Sequence, residues 1–280
     1  MRRWLLSALL GGGVAAAAYR RRALTLDGAV GAALVGCIVF ARGGLPAAGA
    51  LLAFFSSSTT LSRAGQRRKQ GSSPAQAKGA QRDVWQVLAN GGFATLSIML
   101  GRRQGGGAFL GALSAAGADT WATELGMLAH RQPRMITTLR KVEPGTSGGV
   151  TPEGLAASLA GALAVGLAWS SLDRRWQAAP LAAVAGVCGS LIDSILGATI
   201  QALYRCPACD ALTEQPRHRQ CGRPADLVRG KAWVTNDTVN ALSTLTGAAV
   251  GAAWWRADCG ALGLTREPGV PTCLAKRGDR

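Results

Sequence analysis

Five acids, Asp27, Asp119, Glu124, Asp193 and Asp237, lie inside or at the ends of stretches that otherwise carry almost no charge. An ionised side chain in a bilayer interior costs at least about 2.5 to 3.5 kcal/mol even on lenient insertion scales, so acids kept there are candidates for chemistry. Asp119 and Glu124 are five residues apart, about 140° around a helix, and so point to neighbouring faces. Asp193 comes from a second apolar stretch, and Asp237 opens a third between Asn236 and Asn240. Gathered in one cavity, these groups would make an oxygen-rich site of the type that takes Mg2+ carrying phosphates. The competing reading is that each acid pairs with an arginine or a serine and only fixes helix register. That reading is strongest for Asp27.

Between Asp119 and Asp193 runs a loop, Thr137 to Gly154, that contains Arg140, Lys141, Thr146, Ser147, Gly148, Gly149 and Pro152. Glycines let a backbone approach a ligand, and Pro152 suits the first turn of a helix whose free N–H groups favour an anion. Arg140 and Lys141 would add positive charge. No Gly-Lys-Ser or Gly-Lys-Thr follows, so the Walker pattern is absent; alone the loop reads as a turn, and beside an acidic cluster it reads as a phosphate cradle. Further on, Cys206-x2-Cys209 is followed after eight residues by His218-x2-Cys221. The spacing fits a small Cys3His zinc knuckle, against thiols that stay reduced and unliganded.

The elements that must position these groups follow from where charge is missing. The 280 residues include 31 Lys+Arg and 15 Asp+Glu, and runs of 14 to 20 residues without charge recur along the chain. A helix crossing hydrocarbon needs about 17 to 25 residues. We therefore expect an all-α, multi-pass integral membrane bundle of about eight helices (seven to nine), at residues 4–19, 24–41, 45–61, 84–101, 105–129, 154–172, 177–203 and 238–255. The first run also has features of a cleavable signal, with Arg2 and Arg3 before an apolar stretch. A single membrane domain at 1–256 carries the Cys/His insert at 204–237, and 257–280 reads as a flexible tail. Connections 20–23, 62–83, 130–153 and 204–237 hold 19 of the basic residues. The positive-inside rule puts these loops in the cytoplasm of a multi-pass plasma (inner) membrane protein, and every acid named above then falls toward that side. Four-residue spacings of small residues, such as Gly107 and Gly111 or Gly247 and Gly251, read as helix packing. With no basic helix or stacking platform, the charge of +16 does not indicate nucleic acid. Nor do seven Cys, two of them (Cys37 and Cys188) inside spans, make a secreted disulfide scaffold.

Five segments resemble a known family of integral membrane proteins, those of the transmembrane protein 19 type, which include the plant phytyl-phosphate kinase of tocopherol synthesis. They are Gln86 to Gly92, Ala118 to Gly126, Thr138 to Thr151, Gly189 to Ala198 and Asn236 to Asn240, in this order. The resemblance implies phosphoryl transfer from CTP or ATP to an isoprenyl (phytyl-like or polyprenyl) monophosphate. It assigns Asp119, Asp193 and Asp237 to Mg2+, and Glu124 to support of that metal. Phosphates fall to Arg140, Lys141, Thr146, Ser147, Gly148 and Gly149, and hydrogen bonds to substrate or nucleotide fall to Asn90, Asn236 and Asn240. The expected cofactors are Mg2+, a nucleoside triphosphate as co-substrate, and Zn2+ if the Cys/His set is liganded. Expected partners are membrane lipid or isoprenoid and no nucleic acid, and a homo-oligomer is allowed. Two other readings use the same acids: a transporter or flippase of a lipid phosphate or ion, and a lipid nucleotidyl or alcohol-phosphate transferase.

Overall fold

The structure is a computed structural model that describes residues 1–69 and 81–261. Residues 70–80 of the expected basic loop and the expected tail from 262 onward lie outside the described residues. The described chain forms seven helices: α1 (Arg2–Arg20), α2 (Leu26–Lys69), α3 (Val84–Met99), α4 (Arg102–Gly126), α5 (Pro152–Asp173), α6 (Ala178–Thr199) and α7 (Asn236–Ala261). By length and composition, Leu26–Ala64 of α2, α5 and α6 suffice to cross a membrane. Apolar side chains from separate helices, among them Leu9, Leu34, Leu96 and Leu167, face outward. Such a surface suits lipid and would be a large apolar patch in water.

The helix count is one short of eight because the expected second and third spans form a single element. As a straight helix its 44 residues would measure about 66 Å, about twice a hydrocarbon core. It is not straight. Gly44 has φ 69° and ψ −159°, a backbone state that suits a residue without Cβ. Nearby, Arg42 Nε donates to the Met99 carbonyl at the end of α3 (3.0 Å). At the far end of α2, Arg63 donates to the carbonyl of Arg21, just before α2 begins. The element therefore doubles back at Gly44, and both of its ends lie on the side of the 21–25 and 81–83 connections, which pair through Leu24 and Arg82.

The core is centred on α4, whose residues Gly105 to Ala118 include an unbroken buried run from Phe109. It packs against α2, α3, α5, α6 and α7. Phe109 meets Trp169 of α5 at a tilt of 39° (5.7 Å between rings), and Trp169 meets Trp255 of α7 edge-on (6.5 Å). Small residues set the helix spacing: a side chain at Gly111 would strike the Gly247 carbonyl, and one at Gly247 the Gly111 carbonyl. The close approach expected for small residues at four-residue spacing is seen here between α4 and α7.

Short strands modify the all-α expectation. In the loop after α4, β1 (Arg134–Met135) pairs antiparallel with β2 (Gly149–Val150). Residues after α6, which ends near Thr199 where helix to 203 was expected, form a three-stranded sheet in the order β4-β3-β5, from β3 (Leu203–Arg205), β4 (Leu212–Thr213) and β5 (Asp226–Arg229). Strands of two to four residues leave no period-two pattern to read.

Candidate functional site

A cleft of about 640 Å³ opens where these connections gather, at one end of the bundle. Each wall is set by a local rule. Asp83 caps α3 in a capping box: its carboxylate accepts from the Gln86 amide (2.8 Å), and the Gln86 side chain accepts from the Asp83 amide (3.2 Å). This fixes the turn that presents Gln86 and Asn90, whose Nδ2 donates to the Gln86 carbonyl (2.9 Å). Thr151 caps α5 by accepting from the Gly154 amide (2.9 Å), with Pro152 in the first turn. The loop Gly145–Gly149 thus enters the cleft just ahead of a helix N-terminus.

Gly148 holds this loop in place. Its φ is 84°, and a Cβ there would sit 2.5 Å from Ala198 Cβ and 2.6 Å from the Ala198 backbone nitrogen. Only glycine satisfies both the backbone state and this contact with α6. The Gly148 carbonyl accepts from the Ile136 amide (2.9 Å), tying the loop back to β1.

The carboxylates come from three helices and one loop. Asp119 of α4 and Asp193 of α6 both line the cleft and lie close enough for each to act on the other's charge. Asp193 Oδ2 is buried with no hydrogen-bond partner among the described residues. Glu124 accepts from Ser62 Oγ (2.8 Å). Asn236, Asp237 and Asn240 line the wall from α7. Glu214, just after β4, accepts from Ser147 Oγ and lies close enough to act on the charge of Asp193; Gln201 Nε2 donates to the same hydroxyl (3.4 Å).

Two arginines border the acids. Arg82 lines the cleft and lies over Phe54 (5.7 Å). Burial lowers its pKa from the ordinary arginine value, and the charge of Glu124 works in the opposite direction. Arg229 of β5 donates to the Gly197 carbonyl (2.8 Å); burial lowers its pKa too, opposed by Glu214.

Of the residues expected from sequence, Asn90, Asp119, Glu124, Thr146, Ser147, Gly148, Gly149, Asp193, Asn236, Asp237 and Asn240 all line this cleft. Arg140 and Lys141 do not, which corrects their expected position. The β1–β2 hairpin turns them away: the Arg140 carbonyl accepts from the Met135 amide (2.8 Å), and Lys141 bridges to Arg134 beside a separate, smaller pocket. Both are exposed. Asp27 also lies outside the cleft, accepting from the Val84 amide (3.1 Å), in keeping with a structural role. Arg82, Glu214, Gln86, Ser62 and Gln201 were not expected. Only Gln86 left a sequence signal, as the third residue after a capping Asp. The four residues of the Cys/His set are also brought together, with ligand atoms all within 4.8 Å of one another.

The donor set fits a hard divalent cation. It offers carboxylate oxygens from separate elements, and one of them, on Asp193, is buried with no hydrogen-bond partner among the described residues, as expected of an oxygen whose partner is a metal or a ligand.

Comparison with known proteins places this architecture. Residues 9–248 match the family described as integral membrane protein DUF92. The chain is 34% identical to Protein PGR of Arabidopsis thaliana over 265 residues, covering 83% of this chain and 89% of that protein. It is 32% identical over 185 residues to an uncharacterized membrane protein of Methanocaldococcus jannaschii, covering 65% and 76% of the two chains. An uncharacterized membrane protein of Synechocystis is 25% identical over 243 residues, 84% of each chain. No solved structure gives a significant match.

Proposed function

The chain belongs to the DUF92 family of integral membrane proteins, and on that premise we propose that it is a Mg2+-dependent phosphotransferase moving a phosphoryl group from CTP or ATP to an isoprenyl monophosphate. The observation that carries this reading is the joining of two unlike surfaces in one cleft. Carboxylates from α4, α6 and α7 and a glycine- and hydroxyl-rich loop at the start of α5 line the same cleft. The resemblance to a family with a phytyl-phosphate kinase supplies the acceptor class. A cleft at the end of a lipid-facing bundle suits an acceptor whose headgroup is charged and whose tail stays in hydrocarbon.

In this reading Asp119, Asp193 and Asp237 hold Mg2+, with Glu124 kept in place by Ser62. Bound there, Mg2+ would offset the negative charge of the phosphates during transfer. The Thr146 and Ser147 hydroxyls and the Gly148–Gly149 backbone bind phosphate, and Asn90, Asn236 and Asn240 orient nucleotide or acceptor. Arg82 takes the cationic role first assigned to Arg140 and Lys141. An oxygen of the acceptor phosphate bonds to the terminal phosphorus of the triphosphate. The bond from that phosphorus to the bridging oxygen breaks, and the nucleoside diphosphate leaves. The acceptor phosphate is already ionised, so no general base is required.

The same acids would serve a carrier, and the triphosphate separates the two. In sealed proteoliposomes, a transferase should consume Mg-nucleotide only when prenyl monophosphate is added, with no need for an ion gradient. Gradient-driven movement of lipid phosphate without nucleotide consumption would establish the carrier instead.

This function also needs the cleft on the nucleotide side of the membrane. Lys141 and Lys231 lie in exposed positions of the loops after α4 and α6. A membrane-impermeant amine reagent should label both in inside-out vesicles and neither in intact cells, read by peptide mass spectrometry. Labelling from outside the cell would reverse the orientation and remove access to nucleotide.

A further inference from the structure

Cys206, Cys209, His218 and Cys221 of the insert do not line the cleft, yet their setting is specific. Cys206 begins a turn in which its amide donates to the Ala211 carbonyl (2.9 Å) and its carbonyl accepts from the Asp210 amide (2.9 Å). His218 begins a second turn closed in the same way: its amide donates to the Arg223 carbonyl (2.9 Å), and its carbonyl accepts from the Gly222 amide (2.8 Å). Each turn carries its second ligand three residues on. In each the first ligand is buried, Cys206 at 0% and His218 at 2% exposure, and the second, Cys209 or Cys221, is exposed.

The two turns face each other. Cys209 Sγ is 3.4 Å from His218 Nδ1 and 3.3 Å from Cys221 Sγ. These are close to the edges of a tetrahedron around one ion with metal–ligand bonds of about 2.0 to 2.3 Å. The cysteines are free thiols. A buried histidine whose Nδ1 faces a thiol, with two further cysteines within 4.8 Å, is a costly arrangement for a loop that only connects helices.

We propose that Cys206, Cys209, His218 and Cys221 bind one structural zinc ion, and that this ion fixes the strand segment that sets Glu214 against the phosphate loop. Three soft thiolates and one imidazole with no open position are the donor set of a closed zinc site. The link to the cleft is short. β4 and Glu214 lie between the two ligand pairs, and Glu214 accepts from Ser147 Oγ in the loop 145–149. Tying both ends of that segment to one ion limits where Glu214 can go. The knuckle thus acts as a positioning device for the part of the cleft wall that Glu214 forms against the loop 145–149.

The test uses full-length protein purified in detergent without chelators. Elemental analysis should find about one zinc per chain, retained in Asp193→Asn and lost in Cys209→Ser and Cys221→Ser. Replacement by cobalt should give the intense visible bands of a tetrahedral thiolate site, which covers the case in which a cysteine variant does not fold. Stripping zinc with a soft-ligand chelator in Mg2+-containing buffer should then raise amide hydrogen exchange in residues 145–149. No zinc in the wild-type protein, a Cys209–Cys221 disulfide in its place, or zinc lost with Asp193→Asn would overturn the site. Zinc present with unchanged exchange at 145–149 would overturn its role in placing Glu214. None of these readouts depends on the phosphotransferase reading.

Discussion

Asp193→Asn is expected to lower Mg2+-dependent turnover by about two to three orders of magnitude, as when a charge clamp on a transferring group is removed, while the protein remains folded. The buried, unpartnered Oδ2 and the contact with Asp119 give the physical reason. Asparagine keeps the volume and removes the charge. In Mg2+-free buffer the variant should be as stable as wild type or more so, since it relieves the repulsion between neighbouring, partly buried carboxylates. Added Mg2+ should raise the Tm of wild type by mass action and leave the Tm of the variant unchanged. Asp119→Asn and Asp237→Asn should behave alike. A variant with full turnover and an undiminished Mg2+ response would remove the carboxylates from the metal site.

Gly148→Val should be nearly as damaging, through geometry rather than charge. The substitution places a β-branched residue at φ 84° and a Cβ 2.6 Å from the Ala198 backbone nitrogen, so the loop must withdraw from α6. Displacing a positioning element by about 1 Å can cost about 100-fold in rate, and a loss of that order is expected. Trimming the neighbour with Ala198→Gly should not rescue the variant, because the backbone contact remains. Gly149→Ala is the contrast. Its nearest neighbours for a Cβ lie at 3.0 to 3.4 Å with no positive φ, so a small shift accommodates it and the effect should be milder. Equal activity of Gly148→Val and wild type, measured at saturating nucleotide, would show that the loop does not bind phosphate from this position.

Much of the bundle was legible because lipid imposes a strong rule: charge is excluded from spans, so its absence marks them. The acids Asp119, Asp193 and Asp237 stood out for the same reason, and they converge on one cleft with Asn90 and the loop 145–149. The reversal of α2 could be placed near Arg42 to Gly44 from the break between apolar runs. That the chain would turn within one helical element, without a loop, depended on the backbone state of one glycine. Arg140 and Lys141 were misplaced because charge shows in sequence and the facing of a two-residue hairpin does not. Arg82 and Glu214 escaped notice because each reaches the cleft only through tertiary contacts. Arg82 does so through the pairing of the 21–25 and 81–83 connections, and Glu214 through the sheet β4-β3-β5. Neither residue belongs to a local pattern.

The central claim is most directly tested by mass spectrometry of lipid products after the purified protein is given Mg2+, CTP or ATP, and a panel of prenyl monophosphates. The account predicts a prenyl diphosphate formed from at least one acceptor, with release of one nucleoside diphosphate per product and loss of both in Asp193→Asn. Every acceptor recovered unchanged with both nucleotides, from protein shown to bind Mg2+, would contradict it.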